Sequence, residues 1–159
     1  LTETAFRELS AIKGLHLLSE DLRERLGVFS FYIDNIHHNL ISRLLNDRFG
    51  IQVRGGCSCA GTYGHFLLKV DFSLSKEITD RIEAGDLSMK PGWVRVSLHP
   101  TMTNSELLYI TGSIREIAAK IEEWGKEYVY CKHTNEFNHH LEVKEKPDQV
   151  SSWFNIHID

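Results

Sequence analysis

The chain has 159 residues, 42% of them hydrophobic and 25% charged, which is enough apolar material for one domain with its own core and too much for a disordered segment. A formal net charge of −4 and an isoelectric point near 6.1 give no general attraction to phosphate backbones or anionic membranes, so nucleic acid is not an expected partner. No apolar run is long enough to span a bilayer, LTETAFRELS carries no signal-peptide pattern, and three cysteines, two of them one residue apart, make no disulfide framework; a reducing, cytoplasmic location without membrane attachment is expected.

The chain reads as helix from its first residues, and an opening on Leu1 suggests part of something longer. VFSFYID (28 to 34) alternates Val28, Ser30 and Tyr32 with Phe29, Phe31 and Ile33, the pattern of a half-buried strand. Asn35 is placed to cap a helix with apolar positions Ile36, Leu40, Ile41, Leu44, Leu45 and Phe49, closed by Gly50. IQVR restarts as a strand and leads into the loop RGGCSCAGTYGH (54 to 65), while HFLLKVDF (65 to 72) leans to helix. SLSKEITDRIEAGDLSMKPG (73 to 92) reads as a surface excursion with a short amphipathic helix, ending in a turn at Pro91 and Gly92. WVRVSL (93 to 98) sets Val94, Val96 and Leu98 against Trp93, Arg95 and Ser97. Thr103 and Glu106 have capping-box spacing before a long amphipathic helix through Leu107, Ile110, Ile114, Ile117, Ile121 and Trp124, with Gly112 its weak point and Gly125 its end. From YVYCKH (128 onward) the aromatics and histidines follow no clear period, and WFNIHID is a candidate last strand.

This order predicts an α/β two-layer sandwich in a single domain over 1–159, with a tail of uncertain packing over 130–159: one small sheet, helices on its apolar face, the other face free for a ligand or a second domain. Arg54 and Arg95 are placed on or beside that free face. A strand-held guanidinium binds a carboxylate or phosphate through two parallel hydrogen bonds; the ordinary alternative is pairing with a surface acid.

The glycine-rich loop leaves three readings open. Gly55 and Gly56 allow close backbone approach, and Cys57 and Cys59 straddle Ser58. The thiols are half of a metal site completed from His65, His99, Cys131 and His133, or one is a nucleophile favoured by Arg54 and backbone N–H groups, or both are small buried space-fillers. No metal is expected, and His139 with His140 reads as surface rather than as a ligand pair.

LLNDRFGIQVRGGCSCAGTYGH followed by GWVRVSLHPTMTNSE resembles the C-terminal small domain of class V aminotransferases, the pyridoxal-phosphate family that includes cysteine desulfurases and selenocysteine lyases. The likeness runs from the VFSF strand to the helix after Thr103, over half the chain. The family pattern R-x-G-x-x-C-A is met at Arg54, Gly56, Cys59 and Ala60, and its R-x-S strand at Arg95 and Ser97. The resemblance implies the small, mainly antiparallel sheet of fold type I. It also implies an α-carboxylate site at Arg95 with Arg54 in the same pocket, and a sulfur-accepting Cys59, with Cys57 as the alternative thiol. The family's Schiff-base lysine motif has no counterpart here. The chain is therefore expected to be the small domain of a homodimeric enzyme acting on an amino acid, with the cofactor and its lysine on a missing N-terminal large domain and none bound by this chain alone. The competing expectations are a non-catalytic binding module and a persulfide or thiol carrier.

Overall fold

The computed structural model describes residues 1–57 and 61–141. Helix α1 (Thr2–Ser10) buries Ala5, Phe6 and Leu9 along one side. It leads into a short strand β1 (Leu15–Leu17) and then β2 (Val28–Ile33), whose alternation puts Phe29, Phe31 and Ile33 inward. Helix α2 (His38–Phe49) turns Leu40, Ile41, Leu44 and Leu45 onto the same apolar layer. Strand β3 (Arg54–Gly56) precedes two helices, α3 (Gly61–Leu67) and α4 (Phe72–Glu83). Strand β4 (Trp93–Ser97) and the long helix α5 (Asn104–Trp124) complete the layer pair. A 3-10 turn (Gly125–Glu127) then enters a hairpin of β5 (Tyr128–Cys131) and β6 (Glu136–His139).

The main sheet is antiparallel throughout, in the order β1-β2-β4-β3. Phe29 lies opposite Val96 and Phe31 opposite Val94, so one face of the two central strands is wholly apolar. Helices α1, α2 and α5 cover that face, and their buried side chains join the strand residues in one core. Burial of each large side chain there contributes about 1.5–3 kcal/mol, which is what holds the helices to the sheet. The two-layer α/β architecture expected from the sequence is the one observed.

The helix ends show which local signals decide the boundaries. Thr103 and Glu106 form the full capping box, Thr103 Oγ1 accepting from the Glu106 N–H at 3.2 Å and Glu106 Oε2 from the Thr103 N–H at 2.7 Å. Gly50 closes α2 at φ 65°. At the other end of α2 the cap is His37, whose Nδ1 accepts from the Asn39 N–H at 3.1 Å, and not Asn35. Asn35 is consumed by a tight turn that joins Ile36 back to Ile33, at φ 58°.

Other boundaries differ as well. The ladder of β3 starts at Arg54, so Ile51, Gln52 and Val53 are outside it and the two glycines belong to the strand. The helix expected over 65–72 starts earlier, at Gly61, and stops at Leu67; Asp71 then caps α4 by accepting from the Leu74 N–H at 2.9 Å. Residues 128–139, which show no sequence period, make the hairpin. Ser58, Cys59, Ala60 and residues 142–159, with the WFNIHID segment, lie outside the described residues.

Candidate functional site

The antiparallel register sets Ser30 opposite Arg95 and Arg95 opposite Arg54, a row across β2, β4 and β3 on the face away from α1, α2 and α5. Directly opposed residues on one face of a sheet are about 5 Å apart at Cβ, and like charges placed so repel. Every other arginine of the chain has a partner. Arg7, Arg43, Arg48, Arg81 and Arg115 pair with acids, Arg25 donates to backbone carbonyls, and Arg23 lies 4.5 Å over the Phe6 ring. Arg54 and Arg95 have no hydrogen-bond or ion-pair partner among the described residues. Among the described residues no acid pairs with either arginine, and the fold sets the two guanidiniums side by side, an arrangement that an anion with two oxygens would stabilise.

Arg95 stands between two hollows. On one side Gln52, Val53, Arg54 and Ser97 enclose about 270 Å³ with it, so both arginines open into the same small polar space. On the other side lies a larger hollow of about 440 Å³, walled by the segment from Leu18 to Val28, by Trp93 and by Tyr63 and Leu67 of α3. The face opposite the helical layer is thus not fully free, because α3 closes one end of it. Gly64 makes that closure work: a Cβ there would stand 3.3 Å from the Trp93 ring, so its absence lets the helix lie directly on the indole.

At the outer side of β3 a third hollow, about 240 Å³, is lined by Arg54, Gly55, Gly56, Cys57, Lys90 and residues of α2 and the β5–β6 turn. Gly55 is required there: a Cβ would lie 2.6 Å from Asn39 Oδ1 and 2.9 Å from Ser42 Oγ, so β3 meets the first turn of α2 backbone to side chain. His38 fills the space behind. The residue is 5% exposed, its ring stacks on that of His37 at 4.3 Å, and its Nε2 has no hydrogen-bond partner among the described residues. Burial above all, with His37 and Lys90 nearby, pulls its pKa down to about 3, so the imidazole is neutral at physiological pH.

The sequence-derived site residues are therefore only partly brought together. Arg54 and Arg95 share one hollow; Arg54, Gly55, Gly56 and Cys57 share another, which Arg95 does not line. Cys57 is half-buried, and Cys59, Ser58 and Ala60 lie outside the described residues. The histidines considered as metal ligands are engaged locally, His65 with Ser75 at 2.8 Å, His99 with Thr101 at 2.7 Å and His133 with the Gly85 carbonyl at 3.0 Å. Among the described residues no three His, Cys, Asp or Glu side chains gather as a metal cluster would. The strand alternation had set Trp93 on the face of Arg95; sequence reasoning missed Ser30 and Tyr63 as its neighbours. Only Ser30 left a signal, as the polar position midway along an aromatic strand.

The same residues test the fit to pyridoxal phosphate. Neither hollow beside Arg95 is lined by a lysine. Lys90 lines two hollows, of about 240 Å³ and about 610 Å³, and Arg95 lines neither of them. Among the described residues no lysine shares a hollow with Arg95, so these residues do not by themselves supply an anchor for the cofactor's aldehyde beside the arginine pair.

No curated protein matches the chain. The sequence model of the family described as Aminotransferase class-V matches residues 1–110, which takes in α1, all four strands of the main sheet, both arginines and the first turns of α5. With more than two thirds of its length matched, and with the antiparallel α/β architecture that the resemblance implies, the chain belongs to the class V aminotransferase family.

Proposed function

We propose that this chain supplies the substrate-carboxylate half of a pyridoxal-phosphate-dependent enzyme acting on an amino acid, with Arg95 as the principal carboxylate ligand and Arg54 as its neighbour. The observation that supports this reading is the opposed pair Arg54 and Arg95, without a partner among the described residues, in a chain whose other arginines are all engaged. Cross-strand placement fixes where both side chains leave the sheet, so two guanidiniums reach one carboxylate, and each planar fork loses little freedom per hydrogen bond formed. The cofactor supplies the electron sink for amino-acid chemistry. Its lysine and phosphate site come from a large domain in this reading, as the resemblance implies, within a cytoplasmic homodimer.

A second reading concerns the loop thiols. Cys57 stands in the hollow that Arg54 also lines, which supports sulfur transfer as the reaction and Cys57 or Cys59 as the acceptor. A free-standing thiol carrier would use the same loop without the arginine pair.

The test is binding of L-leucine against L-leucinamide, which lacks the carboxylate, followed by two-dimensional NMR of the ¹⁵N-labelled chain. The carboxylate form should bind at least about tenfold tighter, as expected when a charge-assisted contact is lost, and Arg95→Ala should erase the difference. Equal binding of the two ligands by the unmodified chain would refute the assignment.

A further inference from the structure

The hollow on the far side of Arg95 has a chemistry that the arginine pair does not explain. It encloses about 440 Å³, within the common range of small-molecule sites, and apolar side chains make most of its wall: Leu22, Leu26 and Val28 on one side, Leu67, Tyr63 and Trp93 on the other. Its polar groups are few. Ser30 and Arg95 lie in the floor as cross-strand neighbours, and Glu24 and Arg25 stand in the wall.

Arg25 is not available to a ligand, because its guanidinium donates to the carbonyls of Leu18, Ser19 and Leu22 and lies 4.8 Å over the Phe6 ring. It pins the 18–25 segment to the body of the domain, so the apolar wall is built in advance of any ligand. Leu22 and Leu26 are nevertheless 59% and 83% exposed, a cost in apolar hydration that the fold sustains in the hollow that Arg95 also lines. Leu26, Val28 and Trp93 belong to segments tied to the main sheet, and Tyr63 and Leu67 to the helix that lies on Trp93.

Resting on the carboxylate reading above, we infer that the substrate is an α-amino acid with a bulky apolar side chain, aromatic or branched aliphatic, which occupies this hollow while Arg95 holds its carboxylate. A single thiol-bearing carbon, the side chain of cysteine, leaves such a space nearly empty and its leucines wet. A phenyl or isobutyl group displaces that water, and each buried carbon adds a factor of several to affinity.

The test compares L-phenylalanine and L-leucine with L-serine, a small side chain that does not oxidise, as probes added to the ¹⁵N-labelled chain, with the Trp93 indole and the Val28 amide as local reporters. The large side chains should bind about tenfold or more tighter than serine and move both reporters. Leu22→Ser combined with Leu26→Ser, at positions exposed enough for the fold to persist, should shrink that preference to within about threefold and leave serine unchanged. Equal binding of large and small side chains, with binding still lost in Arg95→Ala, overturns the inference and leaves the carboxylate reading standing. Binding that survives Arg95→Ala, or no binding of any of the three, overturns both.

Discussion

Replacing Gly92 with alanine puts one methyl group against a ring that has nowhere to go. The added Cβ would stand 2.5 Å from His38 Cε1, 2.7 Å from Nε2 and 2.8 Å from Nδ1, closer than real Cβ atoms approach. The ring cannot retreat, since His37 stacks on one side at 4.3 Å and the Gly55 position lies against its Cδ2. Overpacking of this kind costs about 1–3 kcal/mol, and a ring braced on two sides belongs at the upper end. Loss of unfolded-state freedom at the former glycine would return about 0.4–1 kcal/mol, leaving a net loss of about 2 kcal/mol. Urea unfolding followed by circular dichroism reads this directly. The decisive comparison is the same substitution in a His38→Ala background, where the ring is gone and Gly92→Ala should be neutral or slightly stabilising. A cost that agrees within about 0.5 kcal/mol in both backgrounds would refute the contact as the cause.

Two further outcomes follow from groups whose titration the fold displaces. Because the folded pKa of His38 is depressed to about 3 and that of His37 is also lowered, mainly by burial, the unfolded chain binds more protons below pH 6.5. Stability should therefore be flat above that pH and fall as pH drops from 6.5 toward 3, by about 1.4 kcal/mol per unit for each proton, with His38→Gln flattening the upper part of the slope. The carboxylates that are lowered in the fold, such as Asp47, add their loss only below the ordinary acid range, so a slope unchanged in His38→Gln between pH 6.5 and 5 would count against the histidine. The thiol of Cys131 is held below its usual range by a hydrogen bond from the Thr134 side chain, then by the Thr134 and His133 N–H groups. Iodoacetamide at pH 7 should alkylate it faster than a model thiol, and Thr134→Val should slow the reaction, as peptide mass mapping would show; an unchanged rate would remove the hydroxyl as the cause.

The parts of this fold that were legible in the sequence are those whose signal is local and repeated. Alternation in VFSFYI and WVRVS reports the apolar face because each second residue meets the same helical layer, and this alone puts Arg95 on the opposite face. The capping box at Thr103 and the closing Gly50 are one-turn motifs that no distant contact needed to complete. Where tertiary contact decides, the sequence was silent. Strand β1 is three residues that become a strand only by pairing with β2, and the β5–β6 hairpin is set by its pairing and its turn rather than by apolar period. His37 displaced Asn35 as the cap because the turn back to Ile33 claimed the asparagine first. At the site, the facing of Arg54 and Arg95 is a fact of register, which spacing along the chain does not encode, and the braced ring of His38 depends on two glycines far from it in sequence.

The two outermost strands of the sheet, β1 and β3, are three residues each. So short a border offers a foreign β-strand too few free N–H and C=O groups to template edge-to-edge growth. Among the described residues the sheet thus presents little free edge for a foreign strand, while the arginines and the apolar hollow lie on its open face.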